Sequence, residues 1–135
     1  MLFGPASVPA KESLGNRGEQ LAACYLKQQK YRILDTQHRN TYGEVDIIAK
    51  DGDCIVFVEV KTRSSTEAGR PLEAVDRRKQ QRLTRIALAW LKQKKKLGDA
   101  ARFDVVSIVW REDAEPELQH FQNAFEPIGD GQFFG

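Results

Sequence analysis

The sequence has few of the residues that form disulfides or bind zinc in small folds. Only two cysteines, Cys24 and Cys54, and two histidines, His38 and His120, occur among its 135 residues. One cysteine falls in a predicted helix and the other in a predicted strand, so we expect two reduced thiols rather than a disulfide. The histidines lie far apart and in no zinc-ligand spacing with either cysteine. Neither a disulfide scaffold nor a zinc site is expected.

Long apolar runs are also missing. No stretch approaches the roughly 18 apolar residues that a membrane span needs. The opening MLFGPASVPA lacks the basic region and apolar core of a secretory signal. We therefore predict a cytoplasmic protein without a membrane partner. Residues 1–13 contain two prolines and no periodic pattern, which predicts a flexible leader, followed by a single domain over residues 14–122 and a C-terminal tail over residues 123–135.

The most informative stretch is GEVDIIAKDGDCIVFVEVKTR, residues 43–63. Its apolar residues predict two strands joined at Asp51-Gly52, a pair that suits the positive φ angles of a type I′ turn. Side chains alternate between the faces of a strand, so Glu59 and Lys61 share one face, roughly 6–7 Å apart along it. A core strand is thus predicted to carry an acid and a base on the same side.

Charged groups inside a sheet need an explanation, because they are rarely buried unless paired or bound to a metal. Glu59 and Lys61 could simply pair at the solvated end of their strand. The hairpin, however, brings Asp46 close to Glu59 across the ladder, and two carboxylates repel unless a proton or cation joins them. Oxygen ligands of this kind favour Mg²⁺ or Mn²⁺.

A first helix is predicted from the helical spacing of apolar residues up to about Lys30. Asn16 and Glu19 resemble a capping box, in which Glu19 would bond to the backbone at the helix start. Glu19 also leans toward the buried face, where it could act as a third carboxylate beside the hairpin. Both interpretations of Glu19 stay open on the residues alone.

The remaining apolar patterns complete an α/β fold. They predict strands over residues 31–37, 102–110 and 117–121, and a long helix capped by Asp76. A strand, a crossover helix and another strand imply parallel pairing. Asp104 interrupts an apolar strand face and is expected at a surface end. Together the patterns predict a mixed sheet of four or five strands flanked by helices. The loop HRNTYG contains Arg39 and Tyr42, which could touch nucleic acid, but loop arginines are mostly solvated and neither residue is assigned a role.

The long helix is strongly basic. Between Asp76 and Lys96 there are nine Lys or Arg residues against one acid, a local net charge of +8, although the whole chain carries only +2. Such a surface attracts phosphates, and we favour nucleic-acid contact over a merely solvated helix face because the hairpin chemistry points the same way. Trp90 lies in the apolar stripe and is predicted to be core.

Asp46, Glu59, Val60 and Lys61, spaced as D-x12-E-V-K, resemble the core of the PD-(D/E)xK nuclease superfamily, which includes junction resolvases and many restriction endonucleases. The segments GNRGEQLAACYL, GEVDIIA, VFVEVKTR, EAV and RFDVV, in this order, are similar to the small bacterial YraN-like family, described as uncharacterised and endonuclease-like. The resemblance runs from about residue 15 to residue 110.

This resemblance implies a restriction-endonuclease-like fold and metal-dependent phosphodiester hydrolysis of DNA, with branched or junction DNA and RNA left open. It implies catalytic roles for Glu19, Asp46, Glu59 and Lys61, and a Mg²⁺ or Mn²⁺ site built from Asp46, Glu59, the Val60 carbonyl and Glu19. The rival hypothesis is a nucleic-acid-binding module of the same fold that cuts nothing.

Nucleic-acid contacts are assigned to polar residues near the predicted site and on the basic helix: Arg63, Arg77, Lys79, Gln80 and Arg82. Lys79 and Gln80 match positions where related nucleases keep polar residues that reach a phosphate. By analogy with junction resolvases a homodimer is conceivable, in which two sites face paired strands, although no residue pattern identifies an interface.

Overall fold

A computed structural model describes residues 14–65 and 75–128, which form one sheet between two helices. The predicted leader, residues 1–13, and the end of the predicted tail, residues 129–135, lie outside the described residues. In chain order the elements are α1 (Leu14–Gln28), β1 (Arg32–Asn40), β2 (Gly43–Asp51), β3 (Cys54–Ser64), α2 (Arg77–Gln93), β4 (Ala101–Trp110) and β5 (Glu117–Phe125).

The sheet has five strands in the order β1-β2-β3-β4-β5. Neighbours are antiparallel except β3 and β4, which run parallel because α2 carries the chain back across the sheet between them. The predicted α/β fold, a restriction-endonuclease-like mixed sheet flanked by helices, is confirmed, and so is the parallel pairing.

Each face of the sheet buries its own apolar cluster. Phe57 and Phe103 pack under α2, where Trp90 meets Phe57 edge-on at 5.8 Å between ring centroids. Trp90 is 3% exposed, which confirms it as core. Val58 and Ile108 pack on the opposite face with Ala22 and Leu26 of α1. Strict alternation along β3 and β4 thus supplies both layers.

The hairpin between β2 and β3 turns one residue later than predicted. Asp51 still pairs with Cys54, so Gly52 and Asp53 are the central residues. Among the described residues of this turn only Gly52 has a positive φ, 59°. A type I′ turn needs positive φ at both centres, whereas a glycine at the first centre alone is typical of type II′. The strand pairing is unchanged by this correction.

Two element ends differ from the sequence prediction. The helix α1 begins at Leu14, so Asn16 lies inside it and is not its N-cap. The strand β1 continues to Asn40, which leaves only Thr41 and Tyr42 of the predicted loop outside regular structure. Both ends are rich in polar side chains, and the apolar pattern that locates an element fades there.

Asp104 was expected at a surface end of its strand, and this is wrong: it is 0% exposed. Its carboxylate accepts hydrogen bonds from Arg102 Nε at 2.9 Å and from the backbone N–H of Asn123 at 3.0 Å, and it meets His120 Nε2 at 2.7 Å. Two of these partners belong to β5, which runs to Phe125 rather than ending near residue 121. The polar residues of β5, which interrupt the apolar pattern of that strand in the sequence, contact this buried acid.

Cys24 and Cys54 are both free and half-buried. Neither helix in the described part of the chain is long and apolar enough to cross a membrane.

Candidate functional site

Asp46 and Glu59 lie side by side where β2 and β3 separate. The pairing of the two strands ends at Ile47 and Val58, and the next residue on each strand is the acid. Asp46 Oδ2 accepts a hydrogen bond of 2.8 Å from the backbone N–H of Val60. The Asp46 side chain therefore bonds to the backbone of β3 just past the last strand pair.

Asp46 is difficult to ionise beside Glu59. Burial, followed by the negative charge of Glu59, raises the pKa of Asp46 to about 8, and the hydrogen bond from Val60 offsets only part of this. Glu59 itself is 7% exposed. Its carboxylate forms an ion pair with the Lys79 ammonium of α2.

Glu19 approaches the same place from α1. Its Oε1 accepts a 3.0 Å hydrogen bond from Gln37 Nε2, so its side chain reaches β1 rather than the start of its own helix. Burial raises the pKa of Glu19; the hydrogen bond from Gln37 opposes that shift, and the neighbouring charge of Glu44 adds to it. Glu19 also interacts with Asp46. The capping-box role considered for Glu19 is not what the structure shows.

Gln37 was not singled out from the sequence, yet it shapes this corner. It falls between the pairs Thr36–Ile47 and His38–Val45, opposite Asp46, and adopts a φ of 51°. A positive φ at a non-glycine residue is uncommon and marks a local break in the strand. The sequence does not predict this conformation, because glutamine has no special preference for it.

Lys61 lies apart from the acids. It is partly buried on β3, opposite Ser107 of β4, and no acid in the described segments pairs with its ammonium. Val60, between Glu59 and Lys61, donates its backbone N–H to Asp46. Of the predicted catalytic set, the structure thus gathers Glu19, Asp46 and Glu59 but gives Lys61 no contact with them.

The predicted nucleic-acid residues divide into three groups. Lys79 and Arg82 line the groove over the acids. Arg77 is exposed at the start of α2, and Gln80 Nε2 donates to the Val75 carbonyl at 2.9 Å, which is a structural contact. Arg63, near the end of β3, has buried Nε and Nη2 atoms that find no hydrogen-bond acceptor among residues 14–65 and 75–128.

A groove of about 520 Å³ opens above the site, between the β1–β2 turn and the first turns of α2. Asp46 and Glu59 lie in it beneath Lys79, Arg82 and Arg39, which come from α2 and the end of β1. A smaller cavity of about 340 Å³ lies beside Glu19 and Gln37. Both volumes are within the ~300–1,000 Å³ range of ligand clefts.

The carboxylate oxygens of this site are the type of ligand that a hard cation prefers. The positions of the side chains suit such a cation less well. Asp46 and Glu59 offer carboxylate oxygens whose mutual repulsion a divalent cation would relieve. Across residues 14–65 and 75–128, however, no three His, Cys, Asp or Glu side chains are grouped closely enough to hold a metal. Lys79 provides the positive charge at Glu59 instead. Two carboxylates are therefore adjacent here, without a third acid grouped closely with them in the described segments.

The Lys79–Glu59 pair was missed, although the sequence held part of the signal. Glu59 shares its strand face with Ile55 and Phe57, and Asp76 caps the helix by accepting the Lys79 N–H at 2.9 Å. A helix on that face starting at Asp76 puts Lys79 near the sheet. Which strand position it meets depends on tertiary packing that the sequence pattern does not specify.

Comparisons with known proteins identify the family of this chain. A family described as "Uncharacterised protein family UPF0102" matches residues 18–108. A UPF0102 protein of Geotalea uraniireducens is 50% identical over 115 residues, covering 85% of this chain and 91% of that protein. One from Rhodopirellula baltica is 43% identical over 133 residues, covering 96% and 80%. One from Rhodococcus opacus is 44% identical over 113 residues, covering 84% and 96%.

The matched span covers most of the resemblance, from within α1 to within β4, and these relatives align over 80–96% of their own length. The chain therefore belongs to the uncharacterised protein family UPF0102, the YraN family.

Proposed function

We propose that this protein is a metal-dependent phosphodiester hydrolase acting on DNA. The observation that carries the proposal is the meeting of Asp46 and Glu59 at the bottom of a groove bordered by Arg39, Lys79 and Arg82. The Val60 N–H offsets only part of the cost of ionising Asp46 beside Glu59, and such an acid is costly to keep charged unless it binds something positive. A basic border attracts the phosphates that such a site would act on.

Asp46 and Glu59 would hold Mg²⁺ or Mn²⁺, with the Val60 carbonyl and Glu19 as further ligands. The bound ion would lower the pKa of its water and neutralise charge on the scissile phosphate. Lys61, on the same strand face as Glu59, would stabilise negative charge developing on the phosphate oxygens. Lys79 would exchange its partner Glu59 for a phosphate once a cation takes over that carboxylate.

We assign substrate binding to basic residues that contact the phosphates and do not recognise the bases. Arg82 and Lys79 would hold the backbone near the acids, and Arg63 and Arg77 would extend the contact at either side. Gln80 is already engaged with the Val75 carbonyl, so we assign it to the fold of the helix start. RNA and branched DNA carry the same phosphates and are included in the test.

A nucleic-acid-binding module that cuts nothing is the second candidate. It is favoured by two observations on the described residues: no three-ligand cluster stands ready, and the Lys79 ammonium is paired with Glu59. In this case the acids and Lys79 would form a structural ion network under a phosphate-binding groove.

The deciding experiment is cleavage of labelled single-stranded, flapped, junction and duplex DNA, and of RNA, with Mg²⁺ or Mn²⁺. Wild type is compared with Asp46→Asn, Glu59→Gln and Lys61→Ala, all purified identically. Loss of cleavage by at least about 100-fold in each variant is expected for a site of this class. Binding by wild type with no metal-dependent cleavage of any substrate would favour the second candidate.

Metal binding is tested separately by thermal shift. Mg²⁺ or Mn²⁺ should raise the melting temperature of the wild type, and Asp46→Asn and Glu59→Gln should abolish the increase. An equal response in all three proteins would remove the metal site from the proposal. Sedimentation velocity with and without junction DNA tests the homodimer that the resemblance to resolvases implies.

A further inference from the structure

Tyr42 stands at the β1–β2 turn with 48% of its surface exposed. In the described part of the chain only Tyr42 and Leu97 are large hydrophobic residues with such exposure. A single exposed aromatic residue is ordinary on a protein surface. The setting of Tyr42 distinguishes it, because the turn is hydrogen-bonded to α2 and borders the groove over Asp46 and Glu59.

The turn that carries Tyr42 is anchored to α2. Asn40 Oδ1 accepts the backbone N–H of Tyr42 at 2.9 Å, and Asn40 Nδ2 donates to the Ile86 carbonyl at 3.3 Å. Gly43, with a φ of 138°, lies so close to α2 that an added Cβ would be 3.1 Å from Arg82 Cδ. The backbone of Tyr42 is therefore fixed relative to the helix that forms the other side of the groove.

The groove presents positively charged side chains and an aromatic ring next to each other, an arrangement suited to a nucleotide. Arg39, Lys79 and Arg82 supply positive charge for phosphates, and Tyr42 supplies the aromatic surface beside them. Arg39 is well exposed, with 74% of its side chain accessible and only a 3.4 Å contact to Glu44. Bases stack on such aromatic platforms regardless of sequence.

An unpaired base is needed for such stacking. In a duplex both faces of each internal base are covered by its neighbours, and freeing one costs a few kcal/mol. A base next to a nick, flap or junction, or in a single strand, offers its face at little cost. The aromatic residue in the groove thus distinguishes unpaired from paired nucleic acid.

We propose that Tyr42 stacks on an unpaired base, so that the substrate of this site is nucleic acid that is single-stranded next to the phosphate held over Asp46 and Glu59. This inference rests on the proposed function and adds its substrate class. Arg82 and Arg39 hold the phosphates of the same strand, while Tyr42 holds the base.

The test measures binding in the presence of EDTA, so cleavage plays no part. Fluorescence anisotropy compares a labelled oligothymidylate with the same strand made abasic at every position, and with a duplex of equal length. The variants are Tyr42→Ala, Tyr42→Phe, which keeps the ring, and Leu97→Ala, which removes the other exposed large side chain. Melting temperatures confirm that each variant is folded.

Loss of one stacking partner is expected to weaken binding of oligothymidylate to Tyr42→Ala by about 5- to 100-fold. Tyr42→Phe and Leu97→Ala should bind like wild type. The abasic strand should bind wild type and Tyr42→Ala equally, because without a base there is nothing for the ring to contact. Duplex binding should change less than about twofold in any variant.

Equal affinity of wild type and Tyr42→Ala for oligothymidylate overturns the inference, as does an equal loss with the abasic strand or the duplex. Failure of the wild type to bind the oligothymidylate also overturns it. The proposed hydrolysis is judged separately: a Tyr42-dependent preference for bases without cleavage would retain this inference and reject the enzyme. Cleavage with no role for Tyr42 would do the reverse.

Discussion

Buried acids in this protein fall into two kinds that differ in their hydrogen-bond partners. Asp104 meets Arg102, His120 and the Asn123 backbone. Although burial alone would raise the pKa of Asp104, the hydrogen bonds from His120, Arg102 and Asn123 outweigh it and hold the pKa below its ordinary 3.8. Asp46 has the Val60 N–H and a like-charged neighbour, so its pKa is raised. The first acid is therefore compensated by its partners, and the second is compensated only in part.

The Asp104 network predicts a pH-dependent loss of stability. A lowered pKa stabilises the fold above the ordinary value of 3.8, and this stabilisation disappears as pH falls through the still lower folded pKa. Asp104→Asn should therefore lower the free energy of unfolding by about 2–4 kcal/mol at pH 7, because charged partners lose their acceptor. The difference from wild type should shrink below about pH 4. Urea unfolding at several pH values measures this.

Asp99→Asn provides the matched control, since Asp99 is exposed and its backbone, not its side chain, bonds to Lys96. Its free energy of unfolding should follow the wild-type pH curve within about 0.5 kcal/mol. A constant difference between Asp104→Asn and wild type from pH 7 down to pH 3 would show that Asp104 is not held ionised.

Lys79 predicts a link between stability and metal. Lys79→Met leaves the buried Glu59 carboxylate without its ammonium partner, which should cost about 1–3 kcal/mol of unfolding free energy in EDTA. Arg78→Met, at the exposed neighbour, should cost less than about 0.5 kcal/mol. Adding Mg²⁺ should recover part of the loss for Lys79→Met alone. Similar values for the two variants under both conditions would contradict a role for Lys79 at Glu59.

At the scale of elements, the sequence predicted what its apolar alternation could encode. The strands β2, β3 and β4 and the helix α2 have one or two apolar faces, and they were located correctly. The edge strands β1 and β5 are half-exposed and contain polar residues such as His38 and Asn123 near their ends, so the apolar pattern did not show how far each strand extends. Period-two reasoning fails where neither face is consistently buried.

The site shows the same limit. Asp46 and Glu59 belong to one hairpin, so their proximity follows from local pairing and was predictable. The contacts of Glu19 with Gln37 and of Lys79 with Glu59 join separate elements, and they depend on how each helix docks on the sheet. Lys61 illustrates the converse, because sharing a strand face with Glu59 did not bring it into contact with any described acid.

The docking of α1 depends on Gly18. A methyl group on Gly18 would overlap Thr62 Cγ2 of β3. Gly18→Ala should therefore push α1 away from the sheet and lower the free energy of unfolding by about 1–3 kcal/mol. Because Glu19 is the next residue, the variant should also weaken any metal response. Calorimetric melting and Mn²⁺ titration of the same samples measure both effects.

Thr62→Ser removes the Cγ2 methyl group and is the matched partner change. Gly18→Ala combined with Thr62→Ser should regain at least half of the stability lost by Gly18→Ala alone, since the overlap is relieved. If the two substitutions simply add, the close approach of α1 to β3 is not the cause of the loss.

At the scale of the whole molecule, the net charge is small but the positive charge is concentrated in one segment. The net charge is only +2, yet residues 76–96, which include α2, carry nine basic residues against one acid. Arg78 and Arg82 are exposed one helical turn apart, and Arg82 lines the groove. Lys95 and Lys96 follow the other end of the helix. A phosphate backbone running along the groove would contact the first pair and not the second.

This arrangement predicts the salt dependence of nucleic-acid binding. Each phosphate neutralised by the protein adds about 0.7–0.9 to the slope of log affinity against log salt concentration. Arg78→Gln combined with Arg82→Gln should reduce that slope by about 1–2, whereas Lys95→Gln combined with Lys96→Gln should leave it within about 0.5 of wild type. Each double variant removes two positive charges, so a general effect of net charge would lower both slopes equally. Anisotropy titrations in EDTA between ~50 and ~200 mM salt distinguish a localised phosphate path from a diffuse attraction.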